Sequence, residues 1–241
     1  MRHFGAPDGP LVVCVHGFAD DGTVFLPLAG AAAPFSFAAV DLPGFGASPP
    51  LEAPGVGALA EVLARVIAGL GGPAVLLAHS MGGPVAVEAA RRAPDAVAGL
   101  VSLEGNMTEE DAWLSRRALK HDDPRPFHEA LAGAILRRAA DDPARRRGAA
   151  AALASDPLTL WRLGREVAQA RGTCFGDAFA ALAIPTLYVF DRASTPAATA
   201  DFVERRGLAQ RVLDGVGHFP TVAAPGVVAG ILEDFVGAHG I

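Results

Sequence analysis

The run Ala74-Val75-Leu76-Leu77-Ala78-His79-Ser80-Met81-Gly82-Gly83 decides how this chain folds. Ala74–Ala78 is apolar throughout and of strand length, as expected of a strand buried on both faces. From Gly82 to Arg92 the pattern is helical. Only His79-Ser80-Met81 lies between them, too little for anything but a sharp strand-to-helix reversal. Such a turn needs small residues on either side of its centre, and Ala78 and Gly82 supply them, with Gly83 adding slack. The reversal lifts the Ser80 hydroxyl above the sheet edge and onto a helix N-terminus. Backbone N–H groups and the positive end of the helix dipole there favour developing negative charge. A serine N-cap on an ordinary helix is the competing reading of the turn taken alone.

Outward from this turn, short apolar runs recur at Leu11–Val15, Phe37–Val40, Val97–Leu103, Thr186–Phe190 and Arg211–Leu213. Helix-length patterns lie between them, at Val56–Leu70 and Pro225–Ala238. In the latter, Val227, Val228, Ile231, Leu232 and Phe235 share one helical face. Buried strands alternating with helices imply an α/β fold with a mostly parallel sheet covered on both sides. The alternation breaks between Glu104 and about Ala181, where the sequence reads as helices without a strand. Thr108 and Asp111 resemble a capping box opening a helix through Leu119. Asp156-Pro157 is an N-cap and first-turn proline for a helix through Ala170, and Glu129–Ala140 is a third candidate. Arg145-Arg146-Arg147 reads as a solvated helix face, with anion binding as the alternative. An all-helical insertion at 105–181 would sit over the carboxyl ends of the strands, where such sheets bind ligands. The core is then 1–104 and 182–241.

With Ala78 in place of the first glycine, the central turn resembles the nucleophile turn of the α/β-hydrolase superfamily, Gly-x-Ser-x-Gly. Val13-Cys14-Val15-His16-Gly17-Phe18 likewise resembles the oxyanion loop of that superfamily. The resemblance implies that the backbone N–H groups of Phe18 and Met81 hold a developing oxyanion, each worth about 2.7–4 kcal/mol. Asp41-Leu42-Pro43-Gly44-Phe45-Gly46-Ala47-Ser48 is similar to the family's loop after the neighbouring strand, and its role is read as structural. Val216-Gly217-His218-Phe219 follows the last strand, where the superfamily carries its base. His218 would take the Ser80 proton and return one to the leaving group. His16 and His79 read instead as packing or loop-orienting groups.

The acid is displaced. The family commonly has Gly-x-x-Asp after the strand that is Thr186–Phe190 here, whereas this chain has Asp191-Arg192-Ala193-Ser194. Asp191 stands where glycine is usual and Ser194 where aspartate is usual. Glu104 in Leu103-Glu104-Gly105-Asn106 ends the strand after the nucleophile helix, where some family members carry their acid. A glutamate finishing a buried strand needs a partner, since an unpaired buried charge is costly. Glu104 is therefore the first choice and Asp191 the alternative.

These residues imply an α/β-hydrolase fold of six or seven strands, with Met1–Phe4 at most a fragment of an edge strand. The expected activity is that of a carboxylesterase-like serine hydrolase cleaving a small ester, thioester, lactone or activated carbon–carbon bond. Other chemistries on the same residues remain open: a perhydrolase, a lyase, a biosynthetic thioesterase or cyclase, or a non-catalytic ligand-binding member of the fold. Met107, Trp113 and Trp161 are the expected pocket residues of the insertion, and an apolar lining would suit a small, uncharged, hydrophobic group. No metal or organic cofactor is implied, because no His/Cys cluster has ligand spacing and no glycine-rich phosphate loop is present. The 241 residues carry a formal charge of −6, which argues against nucleic acid as a partner. Apolar stretches stop well short of the ~20 residues of a membrane span, and the N-terminus lacks the layout of a signal peptide, so a cytoplasmic location is expected. Cys14 reads as a small buried hydrophobe.

Overall fold

The computed structural model describes residues 1–31, 34–139 and 143–241. Seven strands form one sheet: β1 (Arg2–Gly5), β2 (Leu11–Val15), β3 (Ser36–Val40), β4 (Ala74–His79), β5 (Val97–Leu103), β6 (Thr186–Asp191) and β7 (Gln210–Leu213). Their spatial order is β1-β3-β2-β4-β5-β6-β7, and only β1 runs antiparallel. Strand order reverses between β2 and β4, so the loops leaving those strands part to opposite sides and open a crevice at their carboxyl ends. Ser80 and Phe18 follow these two strands.

The central strands are buried on both faces, which explains their unbroken apolar runs. Val13, Leu76 and Leu100 point to one face, which is covered by α1 (Val56–Ala68) and α2 (Gly82–Arg92). Val12, Val75 and Val101 point to the other. There they meet a 3-10 helix at Gly22–Gly30 and the C-terminal helix, whose Val228, Leu232 and Phe235 form its inner stripe. Leu76 is fully buried, and its truncation to alanine would cost about 2–5 kcal/mol.

Between β5 and β6 the described residues form 3-10 turns at Glu109–Trp113 and Ser115–Lys120, then α3 (Pro124–Ala139), α4 (Pro143–Ala154), α5 (Pro157–Gln169) and α6 (Cys174–Ala180). After β6 come α7 (Ala197–Arg205), and, beyond β7, α8 (Pro220–Ala223) and α9 (Pro225–His239). Asp156 opens α5 as an N-cap, its Oδ1 accepting the Thr159 N–H at 2.7 Å. The single helix expected from Thr108 to Leu119 is instead two 3-10 segments. Ala112 leaves helical geometry (ψ 17°), while the Asp111 carboxylate is held by Thr199 Oγ1 of α7 at 2.8 Å, a tertiary tie that local propensity does not contain. The helix expected at Glu129–Ala140 begins earlier, at Pro124; Ala140 lies outside the described residues.

In the arginine run Arg145 and Arg146 are exposed, as a solvated face requires, and Arg147 departs from it. Arg147 turns inward and meets the buried Asp20 carboxylate with both nitrogens, at 2.5 and 3.0 Å. Among the described residues, no helix is long and apolar enough to cross a membrane.

Candidate active site

The Ser80 turn is as tight as its sequence implies. Ser80 has φ +52°, a left-handed conformation uncommon for residues other than glycine, and its N–H donates to the Leu103 carbonyl at 2.9 Å. Its own carbonyl accepts the Gly83 N–H at 2.8 Å, which starts α2. A Cβ on Gly82 would lie 2.5 Å from the Val15 carbonyl oxygen and 2.6 Å from that of His16. Glycine at 82 is thus what lets α2 begin against the end of β2. Strain of this kind, about 1–3 kcal/mol, persists where surrounding structure enforces it.

His218 comes to this serine from the loop after β7. Its Nε2 lies 3.2 Å from Ser80 Oγ, and its Nδ1 lies 3.3 Å from Glu104 Oε2. Glu104 is buried and also has positive φ, at +51°, which turns its carboxylate at the end of β5 toward β6. Its Oε1 accepts the Asp191 N–H at 2.5 Å, and its Oε2 also accepts the hydroxyls of Ser194 at 3.0 Å and Thr195 at 3.1 Å. Ser194 occupies the position where the resemblance leads one to expect an aspartate; here it serves as a donor to the carboxylate one strand over. With Nδ1–H donating to Glu104, Nε2 is the nitrogen free to accept from Ser80 Oγ–H.

Asp191 does a different job. Its Oδ2 accepts the N–H groups of Val216 at 2.6 Å and Gly217 at 2.8 Å, and its Oδ1 accepts that of Ala193 at 2.7 Å. These N–H donors, Gly217 foremost, hold its carboxyl below the usual carboxylate range. The His218 loop has a second fastening in His79, whose Nε2–H donates to the His218 carbonyl at 2.7 Å. Burial, with the neighbouring His218 ring second, pushes the His79 pKa down to about 3, so His79 stays neutral. His16 ties the other side of the crevice: its Nδ1–H donates to the Gly17 carbonyl at 2.9 Å and its Nε2 accepts the Leu42 N–H at 3.0 Å.

Phe18 and Met81 flank Ser80, and among the described residues neither backbone N–H donates a hydrogen bond. The Phe18 segment is pinned on its far side. Ala19 has φ +58°, and Asp20 is clamped by Arg147 of α4, whose Nη1 also donates to Thr23 Oγ1 at 3.2 Å. One bidentate pair therefore joins the helical stretch to the loop behind the serine.

A cavity of about 60 Å³ opens on Ser80 and His218, with Phe18, Met81, Trp113 and Phe219 among its walls. Asp20, Asn106, Asp111 and Ser115 line it as well, although most of the lining surface is apolar, as expected. A larger cavity of about 580 Å³ adjoins it through Phe18, Trp113, Leu114 and Phe219. Of the residues expected to line the pocket, Trp113 stands 6.0 Å from the His218 ring between centroids. Met107 is instead fully buried. Trp161 faces a separate surface depression with Arg162 and Arg165, and its Nε1–H donates to the His121 carbonyl at 2.8 Å. A helix presents one face to the site and another to solvent, and residue type alone did not separate them. Sequence reasoning missed Asn106, Asp111, Ser194 and Thr195. Two signals drew attention to any of them: the capping pattern at Thr108 and Asp111, which gave no sign of the cavity, and the missing aspartate at Ser194, which gave no sign of its role as a donor.

A family model described as the alpha/beta hydrolase family matches residues 12–231. Over 109 residues the chain is 34% identical to the pimeloyl-[acyl-carrier protein] methyl ester esterase of Shewanella woodyi, covering 44% of this chain and 41% of that protein. Over 106 residues it is 38% identical to lipase LipV of Mycobacterium tuberculosis, covering 43% and 40%. The matches thus span about two fifths of the length of these curated relatives. A solved thermophilic esterase from Thermogutta terrifontis superposes with TM-score 0.76 at 23% identity, covering 99% of this chain and 92% of that one. Esterase RhEst1 from a Rhodococcus species does so with TM-score 0.77 at 24% identity, covering 98% and 94%. At such identities these two likenesses bear on the fold alone.

Proposed function

Because the chain belongs to the alpha/beta hydrolase family, we propose that it is a serine esterase in which Ser80 is the nucleophile, His218 the base and Glu104 the acid. The observation that carries the reading is the continuous line from Ser80 Oγ to His218 Nε2 and from His218 Nδ1 to Glu104 Oε2, at 3.2 and 3.3 Å. Ser80 Oγ attacks the carbonyl carbon of an ester, thioester or lactone while its proton passes to His218 Nε2. The N–H groups of Phe18 and Met81 hold the resulting oxyanion. As the tetrahedral intermediate collapses, the carbon–leaving-group bond breaks and His218 gives its proton to the departing oxygen or sulfur. Water, activated by the same histidine, then releases the acid and restores Ser80. Glu104 holds the Nδ1–H tautomer and stabilises the imidazolium that forms.

The segment at 105–181 acts in this reading as a cap, since Trp113, Asn106 and Asp111 from it wall the cavity over Ser80. Ester hydrolysis is supported by the names of the curated relatives, an acyl-carrier-protein methyl ester esterase and a lipase.

The test is turnover of short p-nitrophenyl esters, with covalent capture by a fluorophosphonate probe. Wild type should show both and Ser80→Ala neither. An enzyme that neither turns over esters nor takes the label is no serine hydrolase.

A further inference from the structure

The cavity over Ser80 contains a carboxylate that the reaction above does not use. Asp111 sits among the walls of that cavity. Its position follows from the chain's local needs: it caps the first 3-10 turn of the insertion, for which one oxygen suffices. Oδ2 is that oxygen. It accepts the N–H groups of Met107 and Thr108, both at 2.8 Å, the hydroxyl of Thr199 at 2.8 Å and that of Thr108 at 3.5 Å. Oδ1 accepts no hydrogen bond among the described residues. Burial raises the Asp111 carboxyl above its usual range against the pull of those N–H groups, so the anion there is short of donors.

The other acids near Ser80 are all engaged. Both oxygens of Asp20 are taken by Arg147, those of Glu104 by His218, Ser194, Thr195 and the Asp191 N–H. Oδ1 of Asp111 is therefore the acceptor left to an occupant of the cavity. A cavity of about 60 Å³ leaves little room for water to compensate a misfit. A substrate that places a methyl group at Oδ1 strands a buried charge, and one that places an anion there is repelled. One that places an O–H or N–H there gains a charge-assisted hydrogen bond. Sites of this construction discriminate more strongly than apolar pockets do, because the wrong substrate leaves a polar group unpaired.

We propose that Asp111 Oδ1 is a substrate-recognition atom, and that the preferred ester carries a hydrogen-bond donor within a few bonds of the scissile carbonyl. This rests on the esterase reading above. The test compares p-nitrophenyl butanoate with its 3-hydroxy, 3-acetamido and 3-ammonio derivatives, each rate normalised to its own hydroxide-catalysed hydrolysis. Wild type should favour at least one donor-bearing ester over the butanoate by about tenfold or more in kcat/KM, and the panel identifies which donor. In Asp111→Asn the amide oxygen can keep the turn while the amide nitrogen replaces the acceptor, so the preference should vanish or invert. A thermal melt establishes that the variant is folded; if it is not, the wild-type ratios decide by themselves. Ratios near one in wild type, or a preference unchanged in folded Asp111→Asn, overturn the proposal while the esterase reading stands. No turnover of any of the four overturns the proposal, and if the fluorophosphonate label is not taken either, the esterase reading falls with it.

Discussion

Two neighbouring strand ends carry a carboxylate each, and they do opposite things. Glu104 closes β5 and Asp191 closes β6, with Leu103 and Val189 side by side in the parallel register. Glu104 faces side chains: one ring nitrogen and two hydroxyls converge on Oε2. Asp191 faces only backbone, taking the N–H groups that form the loop before His218. The two are coupled, because the Asp191 N–H donates to Glu104 Oε1. One carboxylate orients the imidazole and the other holds the loop that delivers it. In the proposed reading, the position of the acid is thus a matter of which strand end has a side chain long enough to reach the ring. A glutamate with positive φ reaches from β5, while the shorter aspartate on β6 is taken up by backbone N–H groups, chiefly those of the loop after β7.

The effects expected on activity run from large to small. The largest comes from moving the acid. In a Glu104→Gln background, adding Ser194→Asp should recover about tenfold or more of the lost kcat, since Ser194 Oγ already lies 3.0 Å from the Glu104 carboxylate. No recovery would break the idea that the two strand ends are alternative addresses for one function.

Next is the clamp between the helical stretch and the Phe18 loop. Arg147→Met leaves the buried Asp20 charge without its partner, a change worth about 1–3 kcal/mol at this partly exposed pair. It should lower both the melting temperature and kcat, and an unchanged kcat would separate the loop from its clamp. Asp191→Asn follows. Its amide cannot satisfy all three backbone donors, so a loss of about 1–2 kcal/mol, or about 2–8 °C in Tm, is expected, with kcat staying within about tenfold of wild type. The smallest effect on activity is a pH dependence of stability. The folded His79 refuses a proton down to about pH 3, whereas the unfolded chain takes one near 6.5. Stability should therefore fall as pH drops from 6.5 toward 3, and His79→Asn should flatten that slope in denaturant titrations. Asp191, with its depressed carboxyl, contributes stability that is present above the usual aspartate range. That part is lost only as pH falls through its lower folded value, so the two fastenings separate on the pH axis.

What could be read from the sequence was whatever the backbone imposes at fixed offsets. Gly82 follows Ser80 because α2 starts against the end of β2, and Gly17 lies where a Cβ would come within 3.0 Å of Ser80 Cβ. His218 was legible as the histidine placed just after the last strand. Glu104 could be argued from the cost of an unpaired acid at a buried strand end. The rest depends on side chains that meet only in the folded chain. Asp20 and Arg147 are 127 residues apart, Asp111 and Thr199 88 apart, and neither pairing leaves a local pattern. Trp161 was misplaced for the same reason: helix α5 buries Leu160 and Leu163, and which flank of that stripe faces the cavity is decided by neighbours distant in sequence.

The most direct test of this account is kcat for a p-nitrophenyl ester in Glu104→Gln and Asp191→Asn, per active site titrated with a fluorophosphonate. Glu104→Gln should lose about 10³–10⁴-fold, and Asp191→Asn should remain within about tenfold of wild type. A near-normal Glu104→Gln beside a crippled Asp191→Asn would contradict it and return the acid to β6.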